Sequence, residues 1–460
     1  MLFNSITFVI FFITVYAVYL LLKHKSQNVL LLLASYLFYA WWDWRFIILI
    51  FLTTLVDFNV ARWISTATHP KRYLIISLIT HLCVLGFFKY FDFFVDSTLF
   101  LLDSIGFAAD PVTLHVILPV GISFYTFQSI SYVIDSYRRK VVPSENFLEY
   151  ALYVSFFPQL VAGPIERFNN LMPQFQNKRI ITRNHIHEGL WLILFGYYKK
   201  VVIADNLSIL VDPVFDNPGS HSGAAVLTAV YAFALLIYGD FSGYTDIARG
   251  TAKLMGFNLS INFNLPYFAN NPSDFWKRWH ISLSSWLRDY LYIPLGGNKH
   301  GTADTLKNLM LTMLLGGLWH GAAWHYVLWG AYHGILLIGH RTLSPFIKNR
   351  SPLNNWFSIL LMFHFTCLGW IIFRINHVSD LPILLTDLFS GGVVNLSGLA
   401  LIMLLASPLL ILHLLQYLRN NPRFMLELST GAQLLITMIL YSYILLCGKV
   451  DGHEFIYFQF

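Results

Sequence analysis

Charge is what this chain has least of. Acidic and basic residues fill 12% of its 460 positions against 56% for hydrophobic types, and the mean hydropathy is +0.58. A soluble domain carries about a quarter charged residues, so the chain reads as an integral membrane protein, and its length does not convert into a count of soluble domains. Cysteine is scarce as well. Cys83, Cys367 and Cys447 are dispersed in apolar runs, which excludes a disulfide framework and argues against a zinc site. There is no Gly-x-Ser-x-Gly elbow, Walker A loop, His-Glu-x-x-His helix or dinucleotide fingerprint. A serine hydrolase of the soluble type, an ATPase and a zinc protease each lose their main support. No internal repeat is visible, so the inverted-repeat transporter plan is unsupported. The net charge of +6 fits basic cytoplasmic loops better than a nucleic-acid patch.

What is present is a series of apolar runs separated by bursts of cations. Ile6 to Leu22 has no basic leader and no small-residue cleavage site, and reads as a retained span. Further runs lie near 73–95, 115–137, 148–162, 188–211, 223–238, 306–319, 324–340, 356–373, 397–417 and 431–447. Several are shorter than the ~20 residues needed to cross a bilayer, and Gly and Pro break them as re-entrant pieces do. The expectation is an all-α, polytopic fold of about eleven transmembrane helices plus re-entrant and interfacial helices. It forms one membrane domain, 1–460, with cytoplasmic basic segments near 166–187 and 274–307. Lys23, Lys25, Arg62, Lys71, Arg72 and Arg138 to Lys140 follow alternate spans, whereas Asp96, Asp103 and Asp110 share a segment without cations. The positive-inside rule then places the N-terminus outside and the basic bursts in the cytoplasm.

Candidate chemistry concentrates between Asn264 and Gly334. From Phe275 to Tyr290, Trp276, Trp279, Leu283, Trp286, Leu287 and Tyr290 recur at helical spacing, which predicts one amphipathic interfacial helix with His280 at the edge of its apolar stripe. Thirteen residues separate Lys307 from His320, or roughly 20 Å of helix, so His320 lies deep in the hydrocarbon. Gly316, Gly317 and Gly321 surround it, and Trp319 and Trp324 are placed to wall a narrow passage. A lone histidine in an apolar run is often a bonded core residue. Here the glycines and tryptophans favour a cavity in which a neutral imidazole acts as general base. Tyr238-Gly-Asp-Phe-Ser-Gly-Tyr-Thr-Asp246 reads as a Gly-containing break that places Asp240, Tyr244 and Asp246 near the site. Arg249 or the histidines are the expected partners of its carboxylates. Glu166 and Arg167 read as an ion pair pinning another break. His333 is a further candidate for the His320 cavity. No histidine spacing suggests a metal site.

These residues resemble a known family. Trp279-His-Ile-Ser with Trp286-Leu-Arg-Asp-Tyr-Leu-Tyr-Ile-Pro-Leu-Gly-Gly, and Gly317-Leu-Trp-His320-Gly-Ala, look like the two motifs of the membrane-bound O-acyltransferases. Phe156 to Ile165, Tyr238 to Ile247 and Phe455 to Phe460 extend the match over nearly the whole chain. Within the family it looks most like the bacterial alginate O-acetyltransferase branch. The resemblance implies a ring of helices around a central tunnel with His320 as the catalytic residue. His280 is read from its position as a second cavity-lining, catalytic histidine or as a structural one, and Trp279, Trp319, Trp324, Asp240, Tyr244 and Asp246 as lining the tunnel or positioning substrate. The resemblance also implies acyl transfer across a bacterial inner membrane to an exported or envelope polysaccharide, with an extracytoplasmic SGNH-type partner. No bound cofactor is expected; the donor is a cytoplasmic thioester, acetyl-CoA, whose phosphates suit Lys277, Arg278 and Arg288. His320 then serves as base or carries the acyl group itself, and the sequence does not separate the two. The rival readings are a lipid or D-alanyl acyltransferase of the same family and a transporter without covalent chemistry.

Overall fold

Apolar backbone in lipid satisfies its polar groups best by bonding within its own segment as helix. The computed structural model describes residues 1–107, 117–161, 163–346, 352–449 and 455–456, and every regular element among them is helical. Six helices are long and apolar enough to cross a membrane: Arg45–Thr66, Pro70–Ser104, Gly223–Leu254, Leu353–Arg374, Leu396–Leu418 and Thr430–Cys447. By that measure the expected count of eleven is not reached among the described residues, because several expected spans come out short or divided. The run near 148–162 becomes Phe147–Ser155 and Phe157–Leu160, divided just before Pro158, where a ring in place of an N–H disfavours continuing the helix. Asp110, His115 and the last residues of the C-terminal motif lie outside the described residues.

Gly223–Leu254 organises the interior. Its 32 residues would reach about 48 Å, more than a ~30 Å hydrocarbon core. The expected break at Tyr238–Asp246 is absent, since this segment is continuous helix. Its glycines let backbones touch instead: a Cβ on Gly243 would meet Gly196 O at 2.8 Å, and one on Gly250 would meet Gly189 O at 2.7 Å. Small residues at such crossings are how membrane helices approach without a hydrophobic drive. The amphipathic helix expected from Phe275 to Tyr290 is also different. It is two helices, Pro272–Arg278 and Ile281–Leu287, with His280 between them at φ +42°. Glu166 and Arg167 do not pair with each other: Glu166 accepts from Asn170 and Ser260, and Arg167 reaches Asp289 at 3.5 Å.

Three π-helical turns, Gly86–Tyr90, Tyr198–Ala204 and Arg288–Tyr292, interrupt the α geometry. Each carries cations: Lys89, Lys199 with Lys200, and Arg288. Such turns cluster at functional sites. Several cation-rich loops also meet. Arg138 and Arg167 both lie against the Tyr290 ring, and Arg179 bonds Tyr19, Gln27 and Asn28 beside the Lys23 turn.

The hairpin of Thr302–His320 on Trp324–Leu343 is as tight as the central crossing. A Cβ on Gly330 would strike the Met313 carbonyl, and one on Gly317 the Tyr326 carbonyl, whereas Gly339 faces open space. Gly330→Ala should therefore destabilise by ~1–3 kcal/mol through overpacking, while Gly339→Ala should be neutral or gain ~0.5–1 kcal/mol from helix propensity. Thermal midpoints in one detergent check this. Equal midpoints for Gly330→Ala and wild type would mean that the crossing relaxes freely.

Candidate active site

His320 is the last residue of its helix, and Gly321 turns extended. A side chain on Gly321 would collide with the Tyr326 ring, so the chain needs glycine there to reverse. A helix ending inside the protein leaves carbonyls without N–H partners. Here Tyr90 Oη donates to Leu318 O at 2.9 Å, and Lys89 Nζ donates to Trp319 O at 2.7 Å and His320 O at 3.2 Å. Lys89 also donates to Ser123 Oγ at 3.3 Å. A cation at a helix C-terminus is favourable in itself, and this one fixes the turn that presents the imidazole. His320 is 3% exposed, with ring centroids of Trp329 at 4.9 Å, Trp319 at 5.1 Å and Phe373 at 5.5 Å.

His280 is fully buried, and its ring lies 6.5 Å from that of His320, with Trp319 and Phe241 at 5.7 and 4.7 Å. Its left-handed backbone costs a non-glycine residue roughly 1–2 kcal/mol. Asn262 holds it there. Ile281 N donates to Asn262 O at 2.9 Å, and Ser282 donates to Asn262 Oδ1 through N at 3.1 Å and Oγ at 2.8 Å. Ser282 Oγ in turn accepts from Ile165 N at 3.0 Å. Strain maintained by a clamp of this kind is a mark of a working position.

One larger cavity reaches His320 and another begins at the next residue. One, of about 420 Å³, has His320, Gly316 and Trp329 in its wall with Trp276, Lys277 and Arg288. Lys277 and Arg288 are exposed, so the cavity has a basic rim and a histidine within. The other, of about 570 Å³, begins at Gly321 to Ala323 and is lined by Asp205, Asp212, Asp216 and Asp240 with Lys200 and Arg374. A small pocket of about 20 Å³ touches His320 between Lys89, Gly121 and Ser123. A buried imidazole in the wall of such a cavity has the placement of a proton acceptor or acyl carrier. Among the described residues no three His, Cys, Asp or Glu side chains converge as a metal site.

The remaining expected residues divide. Trp319 packs against both histidine rings, 5.7 Å from His280 and 5.1 Å from His320. Trp279 is buried one layer away, 5.0 Å from Phe263 and 4.8 Å from Trp370. Trp324 is 58% exposed and bonds Ser97, away from the passage it was expected to wall. Asp240 pairs with Lys200, and Asp246 with Lys199 as well as Arg249; neither carboxylate is held by a histidine in these pairs. Tyr244 donates to Asn4 and stacks on Phe455. Arg278 is turned into Asp274 and the Asn264 carbonyl rather than the basic rim. His333 packs on Trp329 at 4.7 Å, outside the lining of the His320 cavity. Lys89 and Asn262 went unseen in the sequence. The available signal for Lys89 was a lone cation in an otherwise apolar run; Asn262 had none.

Comparison with known proteins agrees with the motifs. Residues 138–376 match the family model described as "MBOAT, membrane-bound O-acyltransferase family". The chain is 43% identical to the "Probable alginate O-acetylase AlgI" of Pseudomonas aeruginosa, over 87% of this chain and 77% of that one. It is 38% identical to the "Peptidoglycan O-acetyltransferase" of Helicobacter pylori, over 87% and 81%. It is 29% identical to the "Teichoic acid D-alanyltransferase" of Bacillus subtilis, over 55% and 68%.

The cap on the His320 helix is testable without assuming any chemistry. Lys89→Met removes the donor to two carbonyls and should cost ~1–3 kcal/mol, read as a lower thermal midpoint in detergent. Lys89→Arg should recover most of it. A Lys89→Met protein as stable as wild type would show the cap to be dispensable.

Proposed function

The chain belongs to the membrane-bound O-acyltransferase family, and from that premise we propose that it moves acetyl groups across a bacterial inner membrane for O-acetylation of an exported or cell-envelope polysaccharide. Membership makes it an O-acyltransferase and a multi-pass membrane protein. The polymers named for its relatives, alginate and peptidoglycan, set the acceptor class. In this reading a cytoplasmic thioester, acetyl-CoA, sets its phosphates against Lys277 and Arg288 and passes its acyl end to His320. The cations suit phosphate by charge. His320 takes the proton of the acceptor hydroxyl or bears the acetyl group for one step. His280, Trp319 and the Lys89 cap hold that imidazole in its dry enclosure. The acceptor approaches through the cavity that begins at Gly321, and an SGNH-type protein outside the membrane delivers the acetyl group to the polymer.

The observation that carries this reading is the single cavity that has Lys277 and Arg288 at its rim and His320 in its wall. A transporter needs no such junction of a phosphate-suited mouth with a buried base. A lipid acyltransferase would need an opening for a long chain. D-alanyl transfer, the activity named for the Bacillus subtilis relative, is separated by the donor: transfer of labelled D-alanine, with none from acetyl-CoA, would replace the acetyl reading.

Two outcomes are expected in proteoliposomes given labelled acetyl-CoA and the partner. His320→Gln keeps a polar side chain of similar reach but no base, and should lose ~10²–10⁴-fold in transfer; retention above about a tenth of the wild-type rate would make His320 a positioning residue. Lys277→Glu with Arg288→Glu should raise KM for the donor at least about tenfold, because two attractive contacts become repulsive, and should leave kcat within a few-fold. A fall in kcat at unchanged KM would place the donor elsewhere.

A further inference from the structure

Away from the His320 cavities, we propose a separate anion site for a phosphate group, between Arg183–Tyr197, Gly223–Leu254 and Leu396–Leu418. It does not depend on the acyl-transfer reading. A cavity of about 140 Å³ is lined there by Lys199, Arg249, Arg423, Ser242, Asp246 and Glu188, among others. A single water needs only ~10–15 Å³ of such space, so there is room for a tetrahedral oxyanion.

The charge balance is the first argument. Asp246 is shared by Lys199 at 2.6 Å and Arg249 at 3.1 Å, and Glu188 by Lys253 at 2.6 Å and Arg423 at 4.0 Å. Of these, Lys199, Arg249 and Arg423 line the cavity with Asp246 and Glu188, three cations to two carboxylates. A lining with that balance favours an anion over a cation in the cavity.

The second argument is unspent hydrogen bonding. Ser242 Oγ and Arg249 Nε are buried and make no hydrogen bond within normal distance. Both belong to side chains that line the cavity. A guanidinium with one edge on Asp246 and another donor left over is suited to a phosphate oxygen.

The site is closed off from His280 and His320. Phe263, in its wall, packs on Phe241 at 4.9 Å, and Phe241 packs on His280 at 4.7 Å. Bound phosphate would therefore brace that aromatic layer without meeting the reacting groups, as an effector does. The phosphate is borne by an anionic lipid headgroup or by a soluble phosphate ester, and the chemistry of recognition is the same.

The test uses full-length protein in phosphatidylcholine nanodiscs, with phosphatidylglycerol added to the lipid in one arm and glycerol 3-phosphate added to the buffer in the other. Thermal midpoint is followed against probe concentration, and retained lipid is followed by native mass spectrometry. Wild type should be stabilised by one probe. Arg249→Gln should weaken that response about tenfold, the expected scale for losing a hydrogen bond to a charged group. Arg423→Gln should weaken it by a smaller factor. Should Arg249→Gln fail to fold, Arg423→Gln carries the comparison, because its side chain is 68% exposed. A variant-sensitive response to phosphatidylglycerol assigns the site to a headgroup, and one to glycerol 3-phosphate assigns it to a soluble ester. Equal responses in wild type and variants, or no wild-type response to either probe, overturn the proposal.

Discussion

A helix that stops inside a membrane protein exposes carbonyls that lipid cannot satisfy, and the candidate active site depends on how that problem is solved. The Thr302–His320 helix could have run on to an aqueous surface, where water would take its last carbonyls. It ends instead at His320, with Tyr90 and Lys89 donating to Leu318, Trp319 and His320. The donors come from the π-helical turn Gly86–Tyr90, where a wider turn re-aims the side chains that follow. One cation therefore does two things. It completes the helix, and it fixes the imidazole where Gly321 reverses the chain, His320 lining one larger cavity and Gly321 the other.

The same economy governs the rest of the buried polar chemistry. Asp57 is fully buried, yet it accepts from Ser77 at 2.6 Å and meets His81 at 2.7 Å. Lys200 is shared by Asp205 and Asp240, each at 2.8 Å. Breaking such a group by removing one member is expensive because the others remain buried. Glycine does the complementary work. At Gly196, Gly243, Gly317 and Gly330 it lets helices come so close that a methyl group would meet backbone.

Much of this was legible in the sequence, and the exceptions share a cause. Composition and apolar runs are local properties, and they identify an all-helical membrane protein. The motifs around His280 and His320 are long and local, and the structure sets the two rings 6.5 Å apart. What failed was inference across space. The stripe from Trp276 to Tyr290 has a true helical period, but the period is blind to the left-handed residue inside it. Asn262, which maintains that kink, is eighteen positions upstream of His280 in an unremarkable stretch. Gly239 and Gly243 suggested a break because glycine usually weakens a helix. Their partner surface, Lys199 O and Gly196 O, lies some forty residues away, and no local pattern connects them. Trp324 has the right composition for a passage and the wrong side of its helix.

The cavity beyond Gly321 and the anion site form opposites, and the contrast bears on direction of transfer. In the anion site three cations, Lys199, Arg249 and Arg423, face two carboxylates, Asp246 and Glu188. In the large cavity each cation is shared by two carboxylates: Lys200 by Asp205 and Asp240, and Arg374 by Asp212 and Asp216. Four acids against two bases leave that space negative, and low dielectric walls strengthen the field. The rim at Lys277 and Arg288 is positive. On the proposed reading, the polyanionic part of a thioester donor is held at the rim and repelled from the far cavity, while the neutral acetyl group is indifferent to both fields. Charge alone then keeps donor on one side and lets only acyl pass His320. An acceptor polymer bearing its own carboxylates would be repelled from the same cavity, whereas a neutral hydroxyl would not. That asymmetry favours an uncharged intermediary, such as a protein serine, over direct entry of an anionic polymer.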